Sequence, residues 1–127
     1  MLITYIIPVL NERKTVEKSI QDIIKLNIKK EIIIIDNNSS DGTKEVIKKF
    51  YNIPNIRIIE KKQNLGFGHS IQVGFNLANG KYIFIQYADL EYDHFASLKM
   101  LEIAEKEKLD VVFASRLLNF TKFEILK

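Results

Sequence analysis

The sequence predicts an α/β fold in which a parallel β-sheet lies between layers of helix. Strand-length apolar runs alternate along the chain with segments of helical period, the links are short, and one run holds four consecutive isoleucines. A strand apolar at every position is covered on both faces, as in parallel sheets. Repeated strand–helix–strand units with short links make right-handed crossovers, so each strand returns parallel to the last.

The elements follow in order. Residues 2–7 form a first, buried strand, rich in β-branched side chains and stopped by Pro8. Residues 14–26 place Val16, Ile20, Ile23 and Ile24 on one helical stripe. Residues 31–36 are the isoleucine strand. The cluster Asn38-Ser39-Ser40-Asp41-Gly42 is a turn, and 43–51 a short helix with Val46, Ile47 and Phe50 inward. A third strand spans 55–60. Gly66 and Gly68 interrupt the chain before a helix over 70–78, which Asn79-Gly80 closes as a C-terminal cap. A fourth strand (81–86), a fourth helix (94–107) and a fifth strand (110–114) complete the series. The segment 117–127 has no clear terminator, so the sheet is expected to continue past Lys127; either the domain is minimal or it is the first half of a larger one.

Composition narrows the function. A chain of 127 residues makes one domain, and 46% hydrophobic with 28% charged residues is the balance of a globular protein. The absence of cysteine excludes a disulfide scaffold, thiolate metal centres and thiol catalysis. Two histidines leave little for a histidine-rich metal site; His69 and His94 read as structural or solvent-facing. A net charge of +3 is too weak to argue for nucleic acid. The lysine pairs 29–30, 48–49 and 61–62 read as solvated turns and helix faces. No apolar run approaches a membrane span, and the start lacks the basic leader and cleavage site of a signal peptide, so the expected location is cytoplasmic.

Ligands of an open parallel sheet bind beyond the carboxyl ends of the strands, where strand order reverses. With the order 3-2-1-4, that rim collects Asn11 and Glu12 after the first strand, Asp36 and Asn37 after the second, and Asp89, Glu91 and Asp93 after the fourth. Acidic groups gathered there repel one another unless a cation or a donor-rich ligand lies between them. Asp41 or Thr43, and Asp93, are well explained as helix caps. Asp89 and Glu91 are not: they precede the helix, two apart, a spacing that turns both carboxylates of an extended loop the same way. Carboxylates in such a pair suit Mg²⁺ or Mn²⁺ held jointly with a diphosphate. The Gly66-Phe67-Gly68 run is no dinucleotide fingerprint: Ile71 stands where a third glycine is needed, and the first strand–helix turn has none.

These residues resemble the family 2 glycosyltransferases. Tyr5-Ile6-Ile7-Pro8-Val9-Leu10-Asn11-Glu12 is similar to the family's opening strand with P-x-x-N-E, and the segment from Ile34 to Thr43 to its V-D-D-G-S-x-D-G-T. Asn64-Leu65-Gly66-Phe67-Gly68 with Gly74 and Gly80 resembles its glycine-rich helix, Gln86 to Asp93 its D-A-D-L-x-x-D-P metal loop, and Ala114-Ser115-Arg116 its G-S-R. Each motif alone is weak; together they cover residues 3–116 in order. The nearest subgroup is the enzymes that load sugars onto dolichyl or other polyprenyl phosphates.

The resemblance implies a GT-A fold, a Rossmann-like α/β/α sandwich that binds a nucleotide-diphosphate sugar such as a UDP- or GDP-sugar. It assigns nucleotide contacts to Pro8, Leu10, Asn11, Glu12, Asp36, Asn37, Gly66 and Asp89, a divalent cation to Asp89 and Glu91, and phosphate to Arg116. It also implies an acceptor that is a polyprenyl phosphate at the cytoplasmic face of a membrane. The sequence departs from the pattern in three places. Asn37 replaces a frequent second aspartate, His94 replaces a proline, and Tyr87 stands at the first aspartate of the metal loop, removing one carboxylate. Family members also continue into acceptor-binding regions beyond the stretch matched here. No general base is assigned.

Overall fold

The structure, a computed structural model, describes residues 3–90, 93–114 and, for the backbone alone, 123–124. It divides into two compact units, Met1–Tyr92 and Asp93–Lys127. The first contains β1 (Ile3–Val9), α1 (Val16–Ile24), β2 (Lys30–Asp36), α2 (Thr43–Ile47), a 3-10 turn (Lys48–Phe50), β3 (Ile56–Glu60), α3 (Phe67–Leu77) and β4 (Tyr82–Ile85). Its four strands lie in the order β3-β2-β1-β4, all parallel. The expected order 3-2-1-4 is therefore the observed one.

Strand register sorts the side chains onto two faces. Thr4, Ile6, Glu31, Ile33, Ile35, Arg57 and Ile59 share one, since Ile6 pairs with Ile33 and Ile33 with Arg57. α3 covers this face: Val73, Leu77 and Ala78 pack on Ile6, Ile33 and Ile35. Gly74 permits the approach, because a Cβ there would stand 2.6 Å from Ile6 Cγ2. Tyr5, Ile7, Val9, Ile32 and Ile34 face the other way and are also fully or nearly fully buried, together with Val16, Ile20 and Ile23 of α1 and Ile47 of α2. Right-handed crossovers put α1 and α2 on this second face, so the unit has three layers.

Several expected bounds shift for physical reasons. β1 runs through Pro8 to Val9 rather than stopping at Ile7. Val9 faces β2, where its carbonyl accepts from the Asn37 amide (2.8 Å), and Ile6 faces β4, accepting from the Gln86 amide (2.9 Å). Pro8 thus faces β4 beyond the end of that pairing, where its missing N–H breaks no formed bond. α3 begins at Phe67 rather than residue 70, with Gly66 at φ 87°, ψ 162° supplying the turn. Its end is not the left-handed cap expected of Asn79-Gly80: the chain leaves extended at Ala78, and Gly80 is required because a Cβ there would lie 2.6 Å from the Thr4 backbone nitrogen.

Beneath α3, at the amino ends of the strands, Glu31 anchors a polar cluster. Its carboxylate accepts from Thr4 Oγ1 (2.6 Å), the Asn79 backbone N–H (2.5 Å) and Asn79 Nδ2 (3.2 Å), and pairs with Arg57 Nη2 at 3.3 Å. Arg57 also donates to the Leu77 carbonyl at the end of α3. Burial pushes the Glu31 carboxyl up, but these donors and the Arg57 charge together outweigh it and the net direction is down.

The second unit contains α4 (Phe95–Glu107), β5 (Phe113–Ala114) and β6 (Phe123–Glu124). Asp93 accepts from the Phe95 amide (2.8 Å) just ahead of α4, the capping role expected of it. The expected fifth strand does not join the parallel sheet. Only Phe113–Ala114 of residues 110–114 pairs, antiparallel with β6, in a separate two-stranded sheet. Val111 and Phe113 are about half exposed, so the run lacks the two-sided cover of a central strand.

Candidate functional site

The carboxyl edge of the sheet is built from loops tied to one another by side chains. After β1 the chain turns at Asn11, which takes a left-handed φ of 51°. The Asn11 amide donates to Ser39 Oγ (2.9 Å), and Asn11 Oδ1 accepts from the Ser40 amide (2.8 Å). The Glu12 amide donates to Thr43 Oγ1 (3.0 Å), and the Arg13 amide to Asp41 Oδ2 (3.3 Å). Asp41 also accepts from the Thr43 amide (3.0 Å) and hydroxyl (2.5 Å); the hydroxyl bond is the main cause holding its carboxyl below the usual range. Asp41 therefore organises the entry to α2 from just outside its N-cap, Gly42, whose φ of 98° suits glycine.

Asp36 ends β2 fully buried, its Oδ2 accepting from the Ser39 amide (3.1 Å). Asn37, also fully buried, donates from Nδ2 to Asn64 Oδ1 (2.8 Å). Asn64 Oδ1 accepts a second bond from the Gly66 amide (2.9 Å), which identifies it as the oxygen. The Asn37 amide cannot flip, and it presents only its oxygen to the rim. At the end of β4 the buried Gln86 donates from Nε2 to the Tyr87 carbonyl (3.2 Å). The Tyr87 ring packs against Phe67 at the start of α3, centroids 5.8 Å apart.

Among the described residues, Asp36 Oδ1, Asn37 Oδ1 and Gln86 Oε1 are buried side-chain acceptors without a donor. Such an atom costs roughly 1–3 kcal/mol, so it requires an explanation. All three stand at the carboxyl ends of β2 and β4, on either side of β1, where strand order reverses. They are all acceptors, so the complement is a ligand rich in N–H or O–H groups.

The expected site residues mostly converge. Pro8 lies near the end of β1 and Leu10, Asn11 and Glu12 follow it, Asp36 and Asn37 close β2, and Gly66 is joined to Asn37 through Asn64. Asp89 follows β4, next to Ala88, whose carbonyl accepts a hydrogen bond from Thr15 of the Glu12 loop. Glu91 and Arg116 lie outside the described residues. No group of three or more His, Asp or Glu side chains among the described residues is placed to hold a metal. A cation here would therefore not be held in an all-protein cage of these residues; Mg²⁺ bound through one or two carboxylates together with phosphate oxygens is the class of site that needs no such cluster. Gln86, Ser39, Asn64 and Thr15 are contributions that motif reading missed; Asn64 and Gln86 stood inside recognised segments without a role. His69 is exposed, and His94 stacks on Phe95 at 4.5 Å. No helix among the described residues is long and apolar enough to cross a membrane.

The fold has clear relatives. The TarS protein of S. aureus superposes with a TM-score of 0.74 at 19% identity, over 87% of this chain and 34% of that one. The mannosyltransferase PcManGT of Pyrobaculum calidifontis, solved with GDP-Man and Mn²⁺, superposes at 0.63 with 25% identity, over 68% of this chain and 27% of its own. In sequence, an uncharacterized protein of Methanocaldococcus jannaschii is 32% identical over 117 residues, 87% of this chain and 50% of that protein. The poly-beta-1,6-N-acetyl-D-glucosamine synthase of Staphylococcus aureus is 32% identical over 101 residues, 79% of this chain and 24% of the synthase. The chain thus spans half or less of the length of these relatives. The sheet is that of the GT-A glycosyltransferases, and the family model described as Glycosyl transferase family 2 matches residues 4–125. By that match across nearly its whole length, the chain belongs to glycosyl transferase family 2.

Proposed function

We propose that the carboxyl edge binds a nucleotide-diphosphate sugar and that the protein serves sugar transfer from it. The observation that carries this reading is the set of buried acceptors Asp36 Oδ1, Asn37 Oδ1 and Gln86 Oε1 without donors. A nucleoside brings ribose hydroxyls and base N–H groups, the donors such oxygens lack. Pro8, Leu10, Asn11 and Glu12 stand at the same edge in sequence order, and the Gly66 amide bonds to the Asn64 oxygen that holds Asn37. The relatives add support: PcManGT was solved with GDP-Man, and TarS has been solved with UDP-GlcNAc.

Departure of a nucleoside diphosphate from an anomeric carbon leaves negative charge on the diphosphate. Asp89, with Glu91 as the resemblance implies, would hold a divalent cation, Mg²⁺ or Mn²⁺, which when bound supplies several kcal/mol of charge stabilisation. Arg116 would add a bidentate guanidinium to phosphate. An anionic acceptor oxygen, as on a polyprenyl phosphate, attacks without a strong base, whereas a sugar hydroxyl requires one. The resemblance points to the polyprenyl phosphate, while the synthase relative is named for a polysaccharide; assays with both acceptor classes separate them.

Calorimetric titration with UDP, GDP and NAD, each with and without Mn²⁺, tests the reading. Saturable binding of UDP or GDP, strengthened by Mn²⁺, and none of NAD is expected; no nucleotide binding would overturn it. A second reading, a non-catalytic nucleotide-sugar module, is favoured by Tyr87 in place of a carboxylate. Nucleotide binding without sugar transfer or donor hydrolysis in Mn²⁺ would select it.

A further inference from the structure

Thr15 occupies the N-cap of α1 yet makes no side-chain cap bond to that helix. Threonine at an N-cap ordinarily accepts from an amide one turn on, a contact of about 1 kcal/mol. Here the hydroxyl is turned across the carboxyl edge instead. It donates to the Ala88 carbonyl, on the residue before Asp89, and lies 3.1 Å from Glu12 Oε2. Ala88 is buried at 2% exposure, so its carbonyl gains little from solvent. The Glu12 carbonyl meanwhile accepts from the Thr15 and Val16 amides at 3.2 and 2.9 Å, which fixes where the threonine stands relative to Glu12.

We propose that Thr15 is a positioning residue, which latches the loop carrying Asp89 onto the Glu12 loop. The proposal rests on reading this rim as the nucleotide-sugar site. The hydroxyl has one proton and two acceptors in reach, the Ala88 carbonyl and the Glu12 carboxylate. A ligand N–H or O–H that engages Glu12 satisfies that carboxylate and leaves the proton to Ala88. Occupation of the nucleoside end of the site thereby tightens the loop at the phosphate end.

Thr15→Val keeps the size and β-branching of the side chain and removes the hydroxyl; Thr15→Ser keeps the hydroxyl. Because α1 has no cap bond to lose, Thr15→Val is expected to leave hydrogen exchange within α1 unchanged while accelerating it over residues 86–90. UDP or GDP affinity measured in Mn²⁺ is expected to fall about five-fold, the loss of one hydrogen bond, against less than two-fold without Mn²⁺. Thr15→Ser is expected to restore both. Unchanged exchange over residues 86–90, or equal losses with and without Mn²⁺ accompanied by faster exchange in α1, would overturn the latch. Wild-type nucleotide binding indifferent to Mn²⁺ would overturn the cation reading of Asp89 instead, and exchange over 86–90 then decides the latch alone. A wild-type chain that binds neither UDP nor GDP defeats the nucleotide reading and the positioning role with it.

Discussion

Asn37 is a neutral side chain where the family resemblance implies a carboxylate. Asn64 takes up its donor end, and what is left without a partner is an oxygen, as an aspartate would offer, without the charge. Asn64→Ala releases that amide to flip. Nucleotide affinity is then expected to drop about five- to ten-fold, with a melting temperature within a few degrees of wild type, read by calorimetry and thermal denaturation. Asp89→Ala is expected to abolish the Mn²⁺-dependent increment of UDP or GDP binding and to leave the metal-free part; unaltered Mn²⁺ dependence refutes that assignment. Asp36 and Asn37 were legible in the sequence because they close an apolar strand run, and Asp89 because it stands two before Glu91 in the loop after the fourth strand. Ser39 and Thr15 were not, because their partners are distant in sequence: Ser39 meets Asn11 and Thr15 meets Ala88, contacts that only the fold creates. Gln86 was not, because its place is shown by its burial and its unpaired oxygen.

Helix α3 is set onto the sheet by two glycines and one ionic cluster. Gly74→Ala gains helix propensity of about 1 kcal/mol but forces a methyl to within 2.6 Å of Ile6, which is fully buried and has nowhere to move. Overpacking wins, at about 1–3 kcal/mol in urea denaturation, and Ile6→Val in the same chain is expected to recover part of it. The Glu31 cluster makes stability depend on acid. Its folded-state pKa lies below the ordinary 4.5, so its contribution is whole above that pH and is lost as pH falls toward the folded value. Glu31→Gln is expected to cost about 1–2 kcal/mol at pH 7 and to flatten the acid limb of the stability profile. The existence of each helix and strand in this unit was readable from period and turn residues. The bounds moved where a particular contact outranks local preference, as at Pro8, Gly66 and Gly80.

At the scale of the whole sheet, crossover handedness made the strands parallel, while the order 3-2-1-4 entered the sequence reading only as a condition, which the observed order meets and which locates the rim. That residues 110–114 stay out of the parallel sheet was not legible in the sequence, because a short apolar run pairs wherever a partner is available, and Phe113–Ala114 pairs with Phe123–Glu124. A ligand held by the folded rim and not by the unfolded chain stabilises the fold by mass action, about 2.7 kcal/mol at a hundred-fold excess over Kd. Scanning calorimetry is expected to show a melting temperature that climbs with UDP or GDP concentration in Mn²⁺; a flat response refutes specific binding. Pro8 carries the last consequence. Its ring denies β4 the donor that would carry the β1–β4 pairing one step further, so that pairing ends by a deletion rather than by any wedge. Giving the backbone back that hydrogen, with Pro8→Ala, is expected to let the pairing run on to the Gln86 carbonyl and to weaken UDP or GDP binding in calorimetry.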